Sequence, residues 1–397
     1  MFVVMLQFYS STPAPDMHEM AVALRGWGHR VLVATPDRQG DLCFDEAGVE
    51  VIRISGAKPV SARSSRLLSG LARRLAQLAF MIRVRAVLDT LRPDIVQVNP
   101  TMLAFLLPLF RRRQSVYLLD VRQAGEVAGN DLSGQFRNWR MVMKHRLSAH
   151  LFYHHACFAS EAAAERILGP RWPRLATIHR VGQDLSFLTH QWAESHQLEN
   201  TEPVRFVYIG SISKLRQLEL LLAAIRQVAA VRQDFLVDFI GPDSTGGYYQ
   251  RLVGEWGLGG TVRFLSSIPY SQVASTVATY DVALAYVPPL PDWQYQPTLK
   301  VLEYRALGIP ILASDNAANR QIIQEDVNGL LVNHTQDGIA SGLMRYVADR
   351  DYLLRVSESA RCNRQGRTWA DSAKEYVELT YAPLLRQLGN SHASNAE

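Results

Sequence analysis

Short runs of apolar, often β-branched residues alternate with longer segments of helical period along most of this chain, and the alternation restarts midway. A strand that is apolar at every position needs cover on both faces, and helices crossing between parallel strands supply it. In the first half the expected strands are Phe2–Phe8, Arg30–Ala34, Val49–Ile54, Ile95–Val98, Ser115–Leu119 and Cys157–Ser160. Helices are expected near His18–Gly26, Leu67–Leu91, Thr101–Phe110 and Arg137–Tyr153. The second series of strands is Arg205–Ile209, Phe235–Ile240, Val262–Phe264, Val282–Tyr286, Ile309–Ala313 and Gly329–Val332. The fold class is therefore α/β, built from two Rossmann-like halves.

At 397 residues, 48% apolar and 20% charged, the chain has material for two cores and is unlike disordered or disulfide-framed sequences. The polar stretch Glu194–Pro203 marks a linker, taken as 191–203, between domains at 1–190 and 204–368. A terminal helix is expected over 369–388, and the small polar residues 389–397 read as a disordered tail. Cys43, Cys157 and Cys362 are too scattered for a disulfide framework or a CxxC metal site, which points to a reducing compartment, the cytoplasm. The opening Met1-Phe2-Val3-Val4-Met5-Leu6 has no basic n-region and reads as a strand, not a signal peptide. No run approaches the roughly 18 to 20 apolar residues of a membrane span; Met102–Phe110 is the longest and ends in three arginines.

Charge is unevenly divided. The formal net charge is +5, yet residues 1–190 carry 24 Lys and Arg against 15 Asp and Glu, and residues 51–150 alone carry 17 against 5. Such an excess suits a polyanionic partner or a membrane surface. Leu67, Leu68, Leu71, Leu75, Leu78 and Ile82 form an apolar stripe at helical spacing among Arg63, Arg66, Arg73, Arg74, Arg83 and Arg85. A helix of that kind can lie on anionic headgroups, or cover a sheet with its arginines in water. No nucleic-acid-binding module is recognisable.

Two segments carry candidate chemistry. In Tyr208-Ile209-Gly210-Ser211-Ile212-Ser213-Lys214-Leu215-Arg216 a strand ends in a small-residue loop before a helix over Leu218–Val228. Helix-terminal N–H groups can receive an anion there, and Lys214 or Arg216 can neutralise a diphosphate. Ordinary strand-to-helix turns share these features, and the segment is not a P-loop. In Pro297-Thr298-Leu299-Lys300-Val301-Leu302-Glu303, Lys300 and Glu303 share a helix face near its N-terminus. A carboxylate so placed can accept two ribose hydroxyls while the lysine meets a phosphate; a surface ion pair fits the same spacing.

The order and spacing of these features resemble the GT-B glycosyltransferases of the glycosyl transferases group 1 type, family 4. Further matching stretches are Phe239-Ile240-Gly241-Pro242, Trp256-Gly257-Leu258, Tyr280-Asp281-Val282, Asn328-Gly329-Leu330, Gly28-His29-Arg30-Val31, Pro93-Asp94-Ile95 and Val181-Gly182-Gln183-Asp184. The resemblance implies two Rossmann-like domains facing across a cleft, with the C-terminal helix returning toward the first. It implies retaining transfer of a sugar from a nucleotide diphosphosugar, with UDP favoured by base rate, to a cell-surface glycan or lipid-linked acceptor. No metal and no cofactor are expected, and many such transferases attach peripherally to the cytoplasmic face of a membrane.

Roles carried over from the family fall on matching positions only. Glu303 matches the second glutamate of the E-x7-E motif and would bind the donor ribose; the first is replaced by Tyr295. The transferred hexose would then be held through Gln294, Gln296 or backbone amides after Pro297. The family's arginine after the loop glycine is Ser211 here, and its lysine five residues on is Arg216, so Lys214 or Lys300 would supply the missing cation. Backbone at Ser266-Ser267-Ile268-Pro269 would read the base. Donor contacts are thus expected from Gly210, Ser211, Lys214, Arg216, Ile268, Tyr295, Thr298, Lys300 and Glu303. On the acceptor side Asp120 is a candidate catalytic contact and Arg122, with His18 and Glu126, a candidate acceptor ligand. Asp120 equally fits a turn cap, and Asp16 with Glu19 a capping box around His18. A nucleotide-sugar epimerase of the same fold, or a glycan-binding homologue without catalysis, are the alternatives.

Overall fold

Val3, Val4, Met5 and Leu6 are consecutive and all buried, which a strand achieves only when helices cover both faces of its sheet. The computed structural model describes residues 1–6, 15–37, 42–44, 48–55, 81–99, 115–122, 132–192 and 203–393. These divide into two units. One carries the N-terminal sheet and takes back the chain from Trp369 onward; the other runs principally from Gln183 to Thr368.

The first sheet contains β1 (Phe2–Leu6), β2 (Arg30–Asp37), β3 (Leu42–Phe44), β4 (Glu50–Ser55), β5 (Ile95–Val98), β6 (Val116–Val121), β7 (His155–Phe158) and β8 (Ala176–Ile178). Their order is β3-β4-β2-β1-β5-β6-β7-β8, parallel throughout except for β3, which pairs antiparallel with β4. Met17, Met20, Ala21 and Leu24, at i, i+3, i+4 and i+7, turn one face of the helix Pro15–Gly26 onto this sheet. Asp16 lies inside that helix's first turn, so it is not the N-cap expected from sequence.

The second sheet contains β9 (Val204–Ile209), β10 (Phe235–Ile240), β11 (Val262–Leu265), β12 (Val282–Ala285), β13 (Ile311–Ser314) and β14 (Gly329–Val332), all parallel, in the order β11-β10-β9-β12-β13-β14. Numbered within the unit this is 3-2-1-4-5-6, the Rossmann order, and its topological switch point lies between β9 and β12. Helix Leu218–Ala229 buries Leu218, Leu221, Leu222, Ile225 and Val228 against it.

Several expectations need correction. The division at 190 is late: Phe187, in the helix Leu185–Thr189, is fully buried in the second unit's core beside Val207 and Tyr304. Trp192, assigned to the linker, donates from its indole N–H to the Leu307 carbonyl at 3.0 Å; residues 193–202 lie outside the described residues. The C-terminal segment is a helix Trp369–Tyr376, a π turn Val377–Tyr381 and a helix Ala382–Ala393, so it continues past 388. Residues 56–80 and 100–114 are outside the described residues, which removes most of the arginine-flanked stripe and the Thr101–Phe110 helix from view. Where that stripe is described, its phase differs: Met81, Val84 and Leu88 are buried, whereas Ile82 is exposed. Among the described residues no helix is long and apolar enough to cross a membrane.

Two glycines set how closely the loops after β9 and β10 approach. Gly210 and Gly241 have φ of 145° and 150°, and a Cβ on Gly241 would stand 2.2 Å from the Gly210 carbonyl oxygen. Gly241→Ala is therefore expected to destabilise the protein by about 2–4 kcal/mol, from backbone strain and a clash with main chain that cannot swing away. Chemical denaturation measures it, and a loss under about 0.5 kcal/mol would show that the two loops are not held in this arrangement.

Candidate donor-binding site

The switch point of the second sheet assembles the site. The loop after β9 is fixed by main chain: Gly210 N donates to the Ile240 carbonyl at 3.0 Å and Ile212 N to that of Pro242 at 2.9 Å. A 3-10 turn at Lys214–Arg216 follows, then Gln217 in the left-handed region at the start of helix Leu218–Ala229. From the other side of the switch point comes helix Leu299–Leu307, whose N-cap Thr298 makes no side-chain cap and so leaves the first-turn amides uncovered by it. The Tyr304 hydroxyl accepts from Ile209 N at 3.2 Å and joins this helix to the end of β9.

Lys300 and Glu303 are not a surface ion pair. Both are buried, at 7% and 5% exposure. The Lys300 ammonium lies 3.8 Å from the centroid of the Tyr208 ring and next to Gly210, where a Cβ would come within 3.1 Å of Nζ, and it has no hydrogen-bond partner. Burial, with the Arg216 charge added, pushes its pKa well below that of an ordinary lysine, and Glu303 opposes the shift. Burial likewise pushes the Glu303 carboxyl up to about 7, while the Tyr270 hydroxyl, donating to Oε1 at 2.7 Å, and Lys300 pull it down. Sequence reading missed Tyr270, whose phenol carries no motif.

Arg216 stacks its guanidinium over Trp293 at 4.4 Å and reaches Ser211 Oγ at 3.5 Å, leaving Nη1 buried and without a partner. Two cations thus present unsatisfied N–H groups at one strand end, an arrangement that costs stability unless an anion completes it. Lys214 is not one of them: its ammonium stacks on Tyr248 and stands 3.5 Å from Glu219, mostly exposed. Ile268 packs partly buried on the core of this unit, and Tyr295 ends the short helix Pro291–Tyr295, half-buried. Buried Gln296 Oε1, one residue on, has no hydrogen-bond partner.

In the first unit Asp120 and Arg122 do not present free groups. Asp120 is buried at the end of β6 and accepts from Gln97 Nε2 at 2.6 Å, from Arg122 Nε at 2.9 Å and from the Tyr376 hydroxyl at 3.1 Å. Arg122 donates from Nη2 to Tyr376 at 3.0 Å and lies 3.8 Å from Asp16. Tyr381 donates to Gln97 and Thr380 bonds the His179 ring at 2.7 Å, so the cluster fastens the C-terminal segment to the sheet. Asp120 and Arg122 thus make structural contacts within the first unit, and these contacts do not test the acceptor roles expected of them. His18 is half-buried, 3.3 Å from Glu19; Glu126 lies outside the described residues. Among the described residues no group of three or more His, Cys, Asp or Glu is placed to hold a metal ion.

An eight-stranded, largely parallel α/β unit and a six-stranded unit of Rossmann order, the second with two cations and a buried carboxylate at its switch point, make the architecture of a GT-B glycosyltransferase. The chain belongs to the group 1 glycosyltransferases: residues 191–368 match the family described as "Glycosyl transferases group 1", and residues 11–181 match the "Glycosyl transferase 4-like domain". Among curated relatives, D-inositol 3-phosphate glycosyltransferase of Nocardia farcinica is 26% identical over 193 residues, 46% of this chain and 41% of that protein. The match thus spans about two-fifths of that relative's length. Of solved structures, sucrose-phosphate synthase from Thermosynechococcus elongatus has a TM-score of 0.74 at 17% identity, covering 98% of this chain and 99% of that one. Anabaena HepE in complex with UDP and glucose has a TM-score of 0.69 at 14% identity, covering 95% and 98%.

Proposed function

We propose that the protein transfers a hexose from a nucleotide diphosphosugar, with uracil as the base, to a hydroxyl of a cell-surface glycan or lipid-linked acceptor. The observation that carries this reading is the Lys300 ammonium, buried, unpartnered and set against Gly210 beside Arg216. An anion brought from outside would favour the charged form of such a group, and a diphosphate offers several oxygens at once. HepE, of the same fold, binds UDP and glucose.

In this reading Glu303 accepts the ribose hydroxyls, Lys300 and Arg216 take the phosphates with the first-turn amides of Leu299–Leu307, and main chain near Ile268 meets the base. Gly210 lets the diphosphate approach the backbone, Ser211 adds a hydroxyl donor, and Thr298 and Tyr295 flank the sugar. The bond from C1 to the leaving phosphate oxygen breaks as the acceptor oxygen bonds C1 from the same face. The acceptor proton passes to that phosphate oxygen, so configuration is retained. The two cations stabilise the charge that develops on the diphosphate, and no metal is required. The protein acts on the cytoplasmic face of a membrane, at its periphery.

The test is incubation with a panel of nucleotide sugars, with and without membrane extract, in the presence and absence of EDTA. Nucleoside diphosphate released only with extract, and unchanged by EDTA to within about twofold, is expected, since a twofold change is under 0.5 kcal/mol in the barrier. Isomerised free nucleotide sugar, or no release and no thermal shift with any donor, would overturn the reading; loss of release in EDTA would overturn its metal independence.

A further inference from the structure

Helix Leu132–Leu151 leaves larger apolar side chains exposed than it fully buries, with Met141 and Val142 half-buried on its inner face. From Phe136 onward the side chains it buries are Asn138, His145, Ser148 and Ala149, polar or small. Those it exposes are Phe136 at 57%, Trp139 at 58%, Leu147 at 41% and Leu151 at 63%. The exposed set is spaced by three, eight and four residues, with half-buried Met143 inside the gap of eight, and so lines one face, with Phe136 and Trp139 stacked at 5.8 Å. A soluble surface has no use for a contiguous stripe of this composition.

The charges say what covers it. The helix contains Arg137, Arg140, Lys144 and Arg146 and no Asp or Glu along its length. Arg140 lies within the apolar face, its guanidinium 5.8 Å from the centre of the Phe136 ring, and Lys144 and Arg137 fall along one flank. Aromatic and leucine side chains on one face, with cations within it and along its edge, match a helix lying in the plane of a bilayer interface, its rings at the acyl boundary and its cations among anionic headgroups.

The geometry points to this face, Phe136 to Leu151, as the surface by which the first unit lies on an anionic lipid bilayer. The inference deepens the lipid-linked reading of the acceptor given above, and it moves the membrane contact from the arginine stripe over 63–85 to a different helix. A phospholipid surface is its one occupant; a second copy of this chain is the competing one.

Co-sedimentation with phosphatidylcholine vesicles, with and without about a third of phosphatidylglycerol, tests it at ~0.1 M and ~0.5 M salt. The full-length protein is expected to bind the anionic vesicles, and to lose most of that binding at the higher salt. Phe136→Ser with Trp139→Ser should lower the bound fraction at least ~10-fold, and Arg137→Gln with Arg140→Gln should abolish the preference for anionic lipid. These side chains are exposed, so circular dichroism should show both variants folded. Absence of vesicle binding, or binding unaffected by the two substitutions in either pair, would overturn the surface. So would a dimer in sedimentation that dissolves when Phe136 and Trp139 are replaced. A thermal shift with each nucleotide sugar of the panel is measured alongside. Vesicle binding without a shift from any nucleotide sugar of the panel supports the surface and defeats the transfer reading, whereas such a shift without vesicle binding defeats the surface alone.

Discussion

Lys300→Met lowers transfer by about 10²–10³-fold and at the same time raises the melting temperature of the donor-free protein. The first effect is that of removing a charged donor from a developing phosphate charge in a buried site, about 3–4 kcal/mol. The second follows from the Lys300 environment: the folded state holds an ammonium that touches a ring and a glycine and bonds nothing. Its folded pKa is depressed, so the folded state disfavours the charged form that the unfolded chain prefers at neutral pH. That cost is complete below the folded pKa and vanishes as pH rises through the unfolded value. Methionine fills similar volume without charge, so a gain of ~2–4 °C is expected near pH 7. Differential scanning calorimetry with and without UDP checks it: the variant should melt higher alone and gain less from the nucleotide. A variant that melts lower and still responds fully to UDP would show that Lys300 is a structural lysine.

Glu303→Gln raises the donor KM by about 10²-fold and flattens its pH dependence. An ionised carboxylate accepts from both ribose hydroxyls, whereas the amide can accept at one atom only; a charged hydrogen bond is worth roughly 1.5–3 kcal/mol. Because burial lifts the carboxyl from the usual 4.5 to about 7, the wild-type site gains its acceptor as pH rises through neutrality. Donor KM should therefore fall between about pH 6 and 8 in the wild type and stay level in the variant. The linked stability has the opposite sign. A carboxyl whose folded pKa is raised contributes stability present below the unfolded pKa and lost as pH rises through about 7, so the donor-free protein gives up stability over the range in which it gains affinity. Titration of KM and melting temperature over that range measures both, and a variant with wild-type pH dependence would remove Glu303 from the ribose.

The strands were legible because burial on both faces writes an unbroken apolar run, as in Val3 to Leu6 and Val282 to Ala285. The three-residue strands β3 and β8 were not, since three residues carry no period. Lys300 and Glu303 could be named from spacing, but their burial could not, because it depends on Tyr208, Tyr270 and Gly210, brought in by other strands and loops. Asp120 looked like a loop acid because its partner Tyr376 is 256 residues away in sequence. The phase of the helix containing Ile82 was misread by one position, since apolar residues occur on more than one of its faces and hydropathy alone does not choose among them. Helix Leu132–Leu151 gave no apolar stripe that a core-seeking reading would credit, because the residues it fully buries are polar or small.

The π turn at Val377–Tyr381 has a bearing on how the protein is made. By adding a residue to the turn, it lets Tyr376 and Tyr381, five apart, both reach the first sheet, where with Trp369 and Ala373 they complete the apolar core around Val3, Met5 and Cys157. Those four side chains follow the whole of the second unit in the sequence and so are synthesised after it. Until they emerge, Asp120 lacks Tyr376, Gln97 lacks Tyr381, and the N-terminal half waits with an open core. The half synthesised first is thus the half that finishes folding last, and a nascent chain halted before Trp369 has a finished second unit following an unfinished first.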